Sequence, residues 1–313
     1  MTQLPNWFNE MQKTVLDKMK TLALPKADGT VIKKWAFDQP EMRQEMKVNQ
    51  EDVLSALTFL NDEAEKNMMI VCDGEIIYKK LTEAFDGVTI ATLEEALTTY
   101  EELFKSHLMS VVPMEENQLV ATNVAHLNSG LFIHIPKNKV IEECLNVIYV
   151  QMNGSLMNRT LVVAEPNSQF KYIENYYNQS QAMINAVSEV VVLDNAQVEY
   201  AAMDRLHEQT TVYQCRKASV SSNGRFLLSL GALNDGNTVS ENLVDLNGQG
   251  ASAWVKTVAI AEGGQKQNIT INIEHHAPYT EGHIVNHGVS KDAAQLTFNG
   301  IGKINKGMRG SNA

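Results

Sequence analysis

The chain has 313 residues, 44% of them apolar, and its 26 Lys and Arg against 37 Asp and Glu give a net charge of −11. That is the composition of a folded protein, and its acidity counts against nucleic acid and anionic membrane surfaces as partners. No run approaches the roughly 18 apolar residues of a spanning helix, and the N-terminus "MTQLPNWFNEMQK" lacks the layout of a secretory signal. Cys72, Cys144 and Cys215 are too scattered for a disulfide framework or a C-x-x-C site, so a cytoplasmic protein with reduced thiols is expected.

In "WFNEMQKTVLDKMKTL" the residues Trp7, Phe8, Met11, Val15, Met19 and Leu22 recur at helical spacing, and Pro25 and Gly29 end that helix. A second helix is predicted from Asn49 in "NQEDVLSALTFLNDEAEK". "MMIVCDGEIIYKK" predicts a hairpin closed by Asp73-Gly74, a pair that favours a type I′ turn. Thr92 and Glu95 are spaced as a capping box at the start of "TLEEALTTYEELFKSHL". These elements define an α+β region over residues 1–117.

From residue 118 to 313 the pattern changes to short β-rich runs such as "LNVIYV", "TLVVAE", "EVVVLD", "RFLLSLGA", "WVKTVAIA" and "ITINIE". Turns precede several of them: Asn167-Ser168, Asn195-Ala196, Asn223-Gly224, Asn247-Gly248, Gly263-Gly264 and Asp292-Ala293. The first four begin 28, 28 and 24 residues apart, and the last begins 45 residues after the fourth. An imperfect period of about two dozen residues favours a β-solenoid over an antiparallel sandwich, though it does not fix the handedness.

Nucleotide motifs are weak. "GQGASA" (248–253) matches a loose dinucleotide fingerprint, but a β-rich run follows it where a helix would have to hold the pyrophosphate. "GIGKINKG" is not a P-loop, and no G-x-S-x-G elbow occurs. The chain is therefore expected to hydrolyse no ATP. The window "EHHAPYTEGHIVNHGV" (274–289) gathers His275, His276, His283 and His287. Imidazoles bind zinc or iron, yet adjacent strand residues face opposite ways, so His275 and His276 should diverge. The four are read first as architecture, and second as interface or transient metal contacts.

"GLFIHIPKN", "NAVSEVVVLDNAQVEYAAMDRL" and the long run from "LGALNDGNTVSENLVDLNGQGASA" to "FNGIGKINKGMRGSNA" resemble the SufB/SufD family of iron–sulfur cluster assembly proteins. The resemblance is dense over roughly residues 120–313 and looser in "LPKADGTVIKKWAF" and "GVTIATLEEAL". It implies a right-handed parallel β-helix over 118–313. It further implies a non-catalytic scaffold that works with a SufB-like subunit and the SufC-like ATPase, with no stably bound cofactor and a transient iron–sulfur cluster in the full complex. The short N-terminal region and few cysteines favour the SufD side of the family over a SufB-type scaffold that holds the nascent cluster. Family members continue beyond "KGMRGSNA" into a helical tail that docks the ATPase, and Cys144 in "VIEECLNVIYV" departs from the family pattern, which implies a local loop difference. A homodimer pairing strands near residues 270–305 is expected. A β-helix enzyme acting on polysaccharide is the reading from another class.

Overall fold

The computed structural model describes residues 4–35, 37, 40–41, 51, 53, 57 and 66–313, and the helix predicted from Asn49 falls largely outside them. Helix α1 (Asn6–Lys18) buries Phe8 and Val15, both on its predicted apolar stripe. Strands β1 (Met68–Cys72) and β2 (Glu75–Lys80) form the expected antiparallel hairpin. Asp73 (φ 46°) and Gly74 (φ 87°) both take the left-handed conformation that a type I′ turn requires. Strand β3 (Thr89–Thr92) runs into helix α2 (Leu93–Thr98), where the capping box forms. Glu95 N donates to Thr92 Oγ1 at 3.2 Å and Thr92 N donates to Glu95 Oε2 at 2.8 Å. Helices α3 (Glu101–His107) and α4 (Gln118–Ala125) follow.

Helix α4 occupies the first eight residues of the stretch read as β-rich. Asn117 caps it, accepting from the backbone N–H groups of Leu119 and Val120, both at 2.9 Å. Leu119, Val120, Ala121 and Val124 are all buried. A short helix buried on every side has no apolar stripe to betray it.

Thirteen strands then alternate between two sheets: β4 (Ser129–Ile135), β5 (Val140–Gln151), β6 (Leu156–Ala164), β7 (Gln169–Asn178), β8 (Met183–Val192), β9 (Gln197–Arg205), β10 (Thr211–Val220), β11 (Arg225–Ala232), β12 (Asn237–Leu246), β13 (Ser252–Ala261), β14 (Lys266–His275), β15 (Glu281–Ser290) and β16 (Gln295–Ile304). The first sheet has the order β15-β13-β11-β9-β7-β5-β1-β2, and the second β16-β14-β12-β10-β8-β6-β4-β3. All strand pairs between successive coils are parallel, while β1–β2 and β3–β4 are antiparallel. This is a β-solenoid with two strands per coil, not a sandwich. Strands of the N-terminal region join both sheets, so that region and the solenoid share hydrogen bonds.

Equivalent residues on successive coils lie 26 residues apart at the closest (Thr211 and Asn237) and 29 at the widest (Lys266 and Gln295). The corner that leads from the second sheet into the first explains the asparagine turns. Asn138, Asn167, Asn195 and Asn223 stand there on consecutive coils, all left-handed with φ from 54° to 64°. Asn tolerates that conformation best among residues with a side chain. Their amides stack: Asn195 Nδ2 donates to Asn167 Oδ1 at 3.2 Å, and Asn167 Nδ2 to Asn138 Oδ1 at 2.9 Å. The next coil continues the ladder with Gly250 (φ 73°), not with Asn247-Gly248, which explains the short count of 24. A Cβ on Gly250 would stand 2.5 Å from Asn223 Oδ1. Gly263 and Asp292 belong to the opposite corner, joined by a 3.3 Å bond from Gly263 N to Asp292 Oδ2. The interval of 45 therefore mixed two ladders.

Alternate strand residues point inward and stack by coil. Tyr149 lies on Tyr176 at 5.0 Å and Tyr172 on Tyr200 at 5.1 Å, within a continuous core that runs to Ile269, Ile271 and Ile273. The outer face of the second sheet is covered by the N-terminal region: Leu119 and Val120 of α4, with Ile32 and Phe37, pack on Met157, Val187, Tyr213, Cys215 and Val239. Beneath this cover Arg159 and Glu189 form a buried ion pair at 2.7 Å. Glu189 also accepts the backbone N–H groups of Val111 (3.0 Å) and Val112 (2.9 Å), tying the cover to the sheet. On the first sheet Val258, Val285 and Val289 stay exposed.

Candidate functional site

The histidine window spans the end of β14, a corner and β15, and its four imidazoles face three surfaces. His275 points into the core, fully buried, with Nδ1 2.7 Å from Thr280 Oγ1. Burial, with a smaller contribution from His276, holds its pKa below the usual histidine value, so it sits neutral in the interior. A Cβ at Gly282 would come within 3.0 Å of its Nε2, which is why glycine faces it. His276, one residue on, lies on the outer side of the second sheet. His283 and His287 share the outer face of the first sheet, because β15 carries both at the same parity. His283 stacks on Trp254 at 5.3 Å and sets Nε2 2.8 Å from Glu281 Oε1.

The window thus gathers no cluster of its own imidazoles. Among the described residues, the group of potential ligands within reach of a common ion is Asp245, Glu274 and His276, whose ligand atoms lie within 4.8 Å of one another. Asp245 and Glu274 pair directly across β12 and β14, and Lys303 of β16 continues the row. Lys303 Nζ is 2.5 Å from Glu274 Oε1, and Lys217 Nζ is 3.2 Å from Asp245 Oδ2. Hydrogen bonds from Lys303 and Asn305 hold the Glu274 carboxyl below the usual carboxylate range. Burial opposes the Lys217 charge, but Asp245 outweighs it and raises that pKa. Sequence reasoning found His276 and missed both carboxylates. Their signal is spacing: Asp245, Glu274 and Lys303 lie one coil, 29 residues, apart.

A second charged group lies inside the solenoid. Arg216 reaches Glu174 at 3.3 Å and Asp204 at 3.7 Å, all three buried. Burial raises the pKa of both acids, against the pull of Arg216. Beside this group a narrow cleft is lined by Asp204, Gln214, Arg216, Ser240 and Thr257.

The cysteines are poor nucleophiles. Cys72 and Cys215 are buried, and burial raises the Cys215 thiol far above its ordinary value. Burial pushes the partly covered Cys144 thiol up to about 11. The register of β5 against β7 shifts between Val140 and Cys144, a local irregularity of the strand pair.

The description "SUF system FeS cluster assembly, SufBD core domain" matches residues 147–313, and "SufBD protein N-terminal region" matches residues 33–147. The iron–sulfur cluster assembly protein SufD of Bacillus subtilis is 33% identical over 99% of this chain and 74% of its own length. SufBD family proteins of Staphylococcus saprophyticus and Staphylococcus haemolyticus are each 29% identical over 76% of this chain, which covers 53% of their length. With both family regions present in order and the solenoid in place, the chain belongs to the SufBD family of iron–sulfur cluster assembly proteins, and its likeness is greatest on the SufD side.

Proposed function

We propose that the chain is a SufD-type scaffold subunit that assembles with a SufB-type partner and a SufC-type ATPase and catalyses no reaction itself. The observation that carries this reading is the 33% identity to a SufD protein in an alignment that covers 99% of the chain. The site chemistry supports it. A SufB-type scaffold that holds a nascent cluster needs accessible thiolates, whereas Cys72 and Cys215 are buried and the Cys144 thiol is pushed up to about 11. The interior carboxyl pair, Glu174 and Asp204, is enclosed in the core and cannot serve a polysaccharide-active site.

In this reading the last coil is the meeting surface. Strands β15 and β16 end their sheets; Val285, Val289 and Ile301 on their outer faces are exposed, and so is Ile304, which lies on the inner side of β16. A SufB-type partner would pair there, and a second copy of this chain would take its place across residues 270–305 when the protein is alone. Any iron–sulfur cluster is cargo of the complex, held with the partner's ligands. The expected location is the cytoplasm; no described helix is long and apolar enough to cross a membrane. Co-expression with tagged SufB- and SufC-type proteins tests the reading: a stable complex containing this chain is expected, with ATP turnover absent from the chain alone. Failure to co-purify with either protein, or turnover by the isolated chain, would overturn it.

A further inference from the structure

We propose that Asp245, Glu274 and His276 form a surface site for one divalent first-row transition-metal ion, with Lys303 as a built-in competitor for it. The site is independent of the scaffold reading, since it rests on side-chain geometry alone.

The first argument is distance. His276 Nε2 lies 3.6 Å from Asp245 Oδ1 and 3.9 Å from Glu274 Oε1. Both separations are beyond hydrogen-bond reach. Donors that share one ion at bonds of about 2.0–2.2 Å stand about 3–4 Å from one another. The imidazole nitrogen is therefore aimed at two carboxylates with a gap of ionic size between them.

The second argument is how the imidazole is held. Asn305 Nδ2 is 3.1 Å from His276 Nδ1 and 3.0 Å from Glu274 Oε1. One amide thus touches the far nitrogen of the ring and a carboxylate of the set. Turned about its terminal bond, the same amide would present its oxygen to Nδ1–H and leave the Nε2 lone pair for a metal, giving up its hydrogen bond to Glu274 Oε1 as the ion takes that carboxylate. A hydrogen bond at the far ring nitrogen is the usual support of a ligating histidine.

The third argument concerns charge. Lys217 approaches Asp245 through Oδ2, so Oδ1, the oxygen facing His276, is not the one it engages. Lys303 does engage Glu274 Oε1, but its side chain is 55% exposed and can swing into solvent. An ion of charge +2 replaces that single ammonium on Glu274 while Lys217 stays in place. Water would complete the coordination. One nitrogen and two carboxylate oxygens suit zinc, ferrous iron or manganese better than calcium or magnesium, which take all-oxygen shells.

The test is calorimetric titration of the whole chain with zinc chloride, alongside the visible absorption of added cobalt(II). Wild type is expected to bind one ion at this site. His276→Ala and Glu274→Gln should each weaken binding by about tenfold or more, and Asp245→Asn should also weaken it, with unchanged circular dichroism. Lys303→Met should tighten binding several-fold, an effect that general loss of structure cannot produce. Equal affinity in wild type and the His276 or Glu274 variants, or no gain in Lys303→Met, would overturn the site.

Discussion

Two ion pairs on the outer side of the second sheet link adjacent strands and differ in what lies above them. Arg159 and Glu189, between β6 and β8, are sealed under the N-terminal cover, their side chains 1% and 0% exposed. Glu274 and Lys303, between β14 and β16, sit beyond that cover at 21% and 55%. Removing one partner from the first leaves a charge stranded in the core. Removing one from the second leaves a charge that water solvates. The solenoid therefore uses cross-strand ion pairs in two ways: one under the N-terminal region, tied to it by backbone hydrogen bonds, and one on a charged surface that water reaches.

The comparison can be broken at either end. Arg159→Met should destabilise the protein by about 3–5 kcal/mol, measured by denaturant unfolding, because Glu189 would keep its three backbone partners, Met109, Val111 and Val112, but lose its counter-charge. The double variant with Glu189→Leu should recover part of the loss. A single-variant loss below about 1 kcal/mol would mean that the pair does not fasten the cover.

A smaller effect is expected at the corner. Gly250→Ala should cost about 1–3 kcal/mol, since φ 73° is unfavourable for alanine and its Cβ would press on Asn223 Oδ1. Loss of the same size in Gly263→Ala, where nothing lies within 4 Å of the new Cβ, would put the whole cost on backbone conformation and none on the ladder.

The interior histidine gives a pH signature. The folded pKa of His275 is depressed below the ordinary 6.5, so the unfolded chain binds the proton first. Its contribution to stability is complete above 6.5 and falls as the pH drops below that value. Melting temperatures across that range should decline less steeply for His275→Asn than for wild type. Parallel curves would assign the acid loss to other groups. At the exposed end, Lys303→Met should change stability by less than about 1 kcal/mol, and added salt should shrink even that.

What could be read from the sequence follows from how local the signal was. The asparagine turns were legible because a left-handed φ restricts residue choice at a single position. The next two rungs were not: Gly250 follows a more conspicuous Asn247-Gly248, and Tyr279 takes φ 58° where no turn rule would place a tyrosine. The solenoid itself followed from the period, and its two-strand coil from neither period nor composition. Arg216 and Lys217 are neighbours in "QCRKAS", yet the first is sealed inside the core and the second is only half-buried, a difference that appears once the strand's parity is known. The cation site stayed hidden for the same reason, since Asp245 and Glu274 meet only when one coil is laid on the next.

The most direct test of the division between fastened and presented surfaces is backbone hydrogen exchange on the chain with and without a SufB-type partner. The account predicts new protection in β15 and β16 (281–304), with β6, β8 and their N-terminal cover already protected and unchanged. Protection gained on the covered face, or no gain in 281–304 on complex formation, would contradict it.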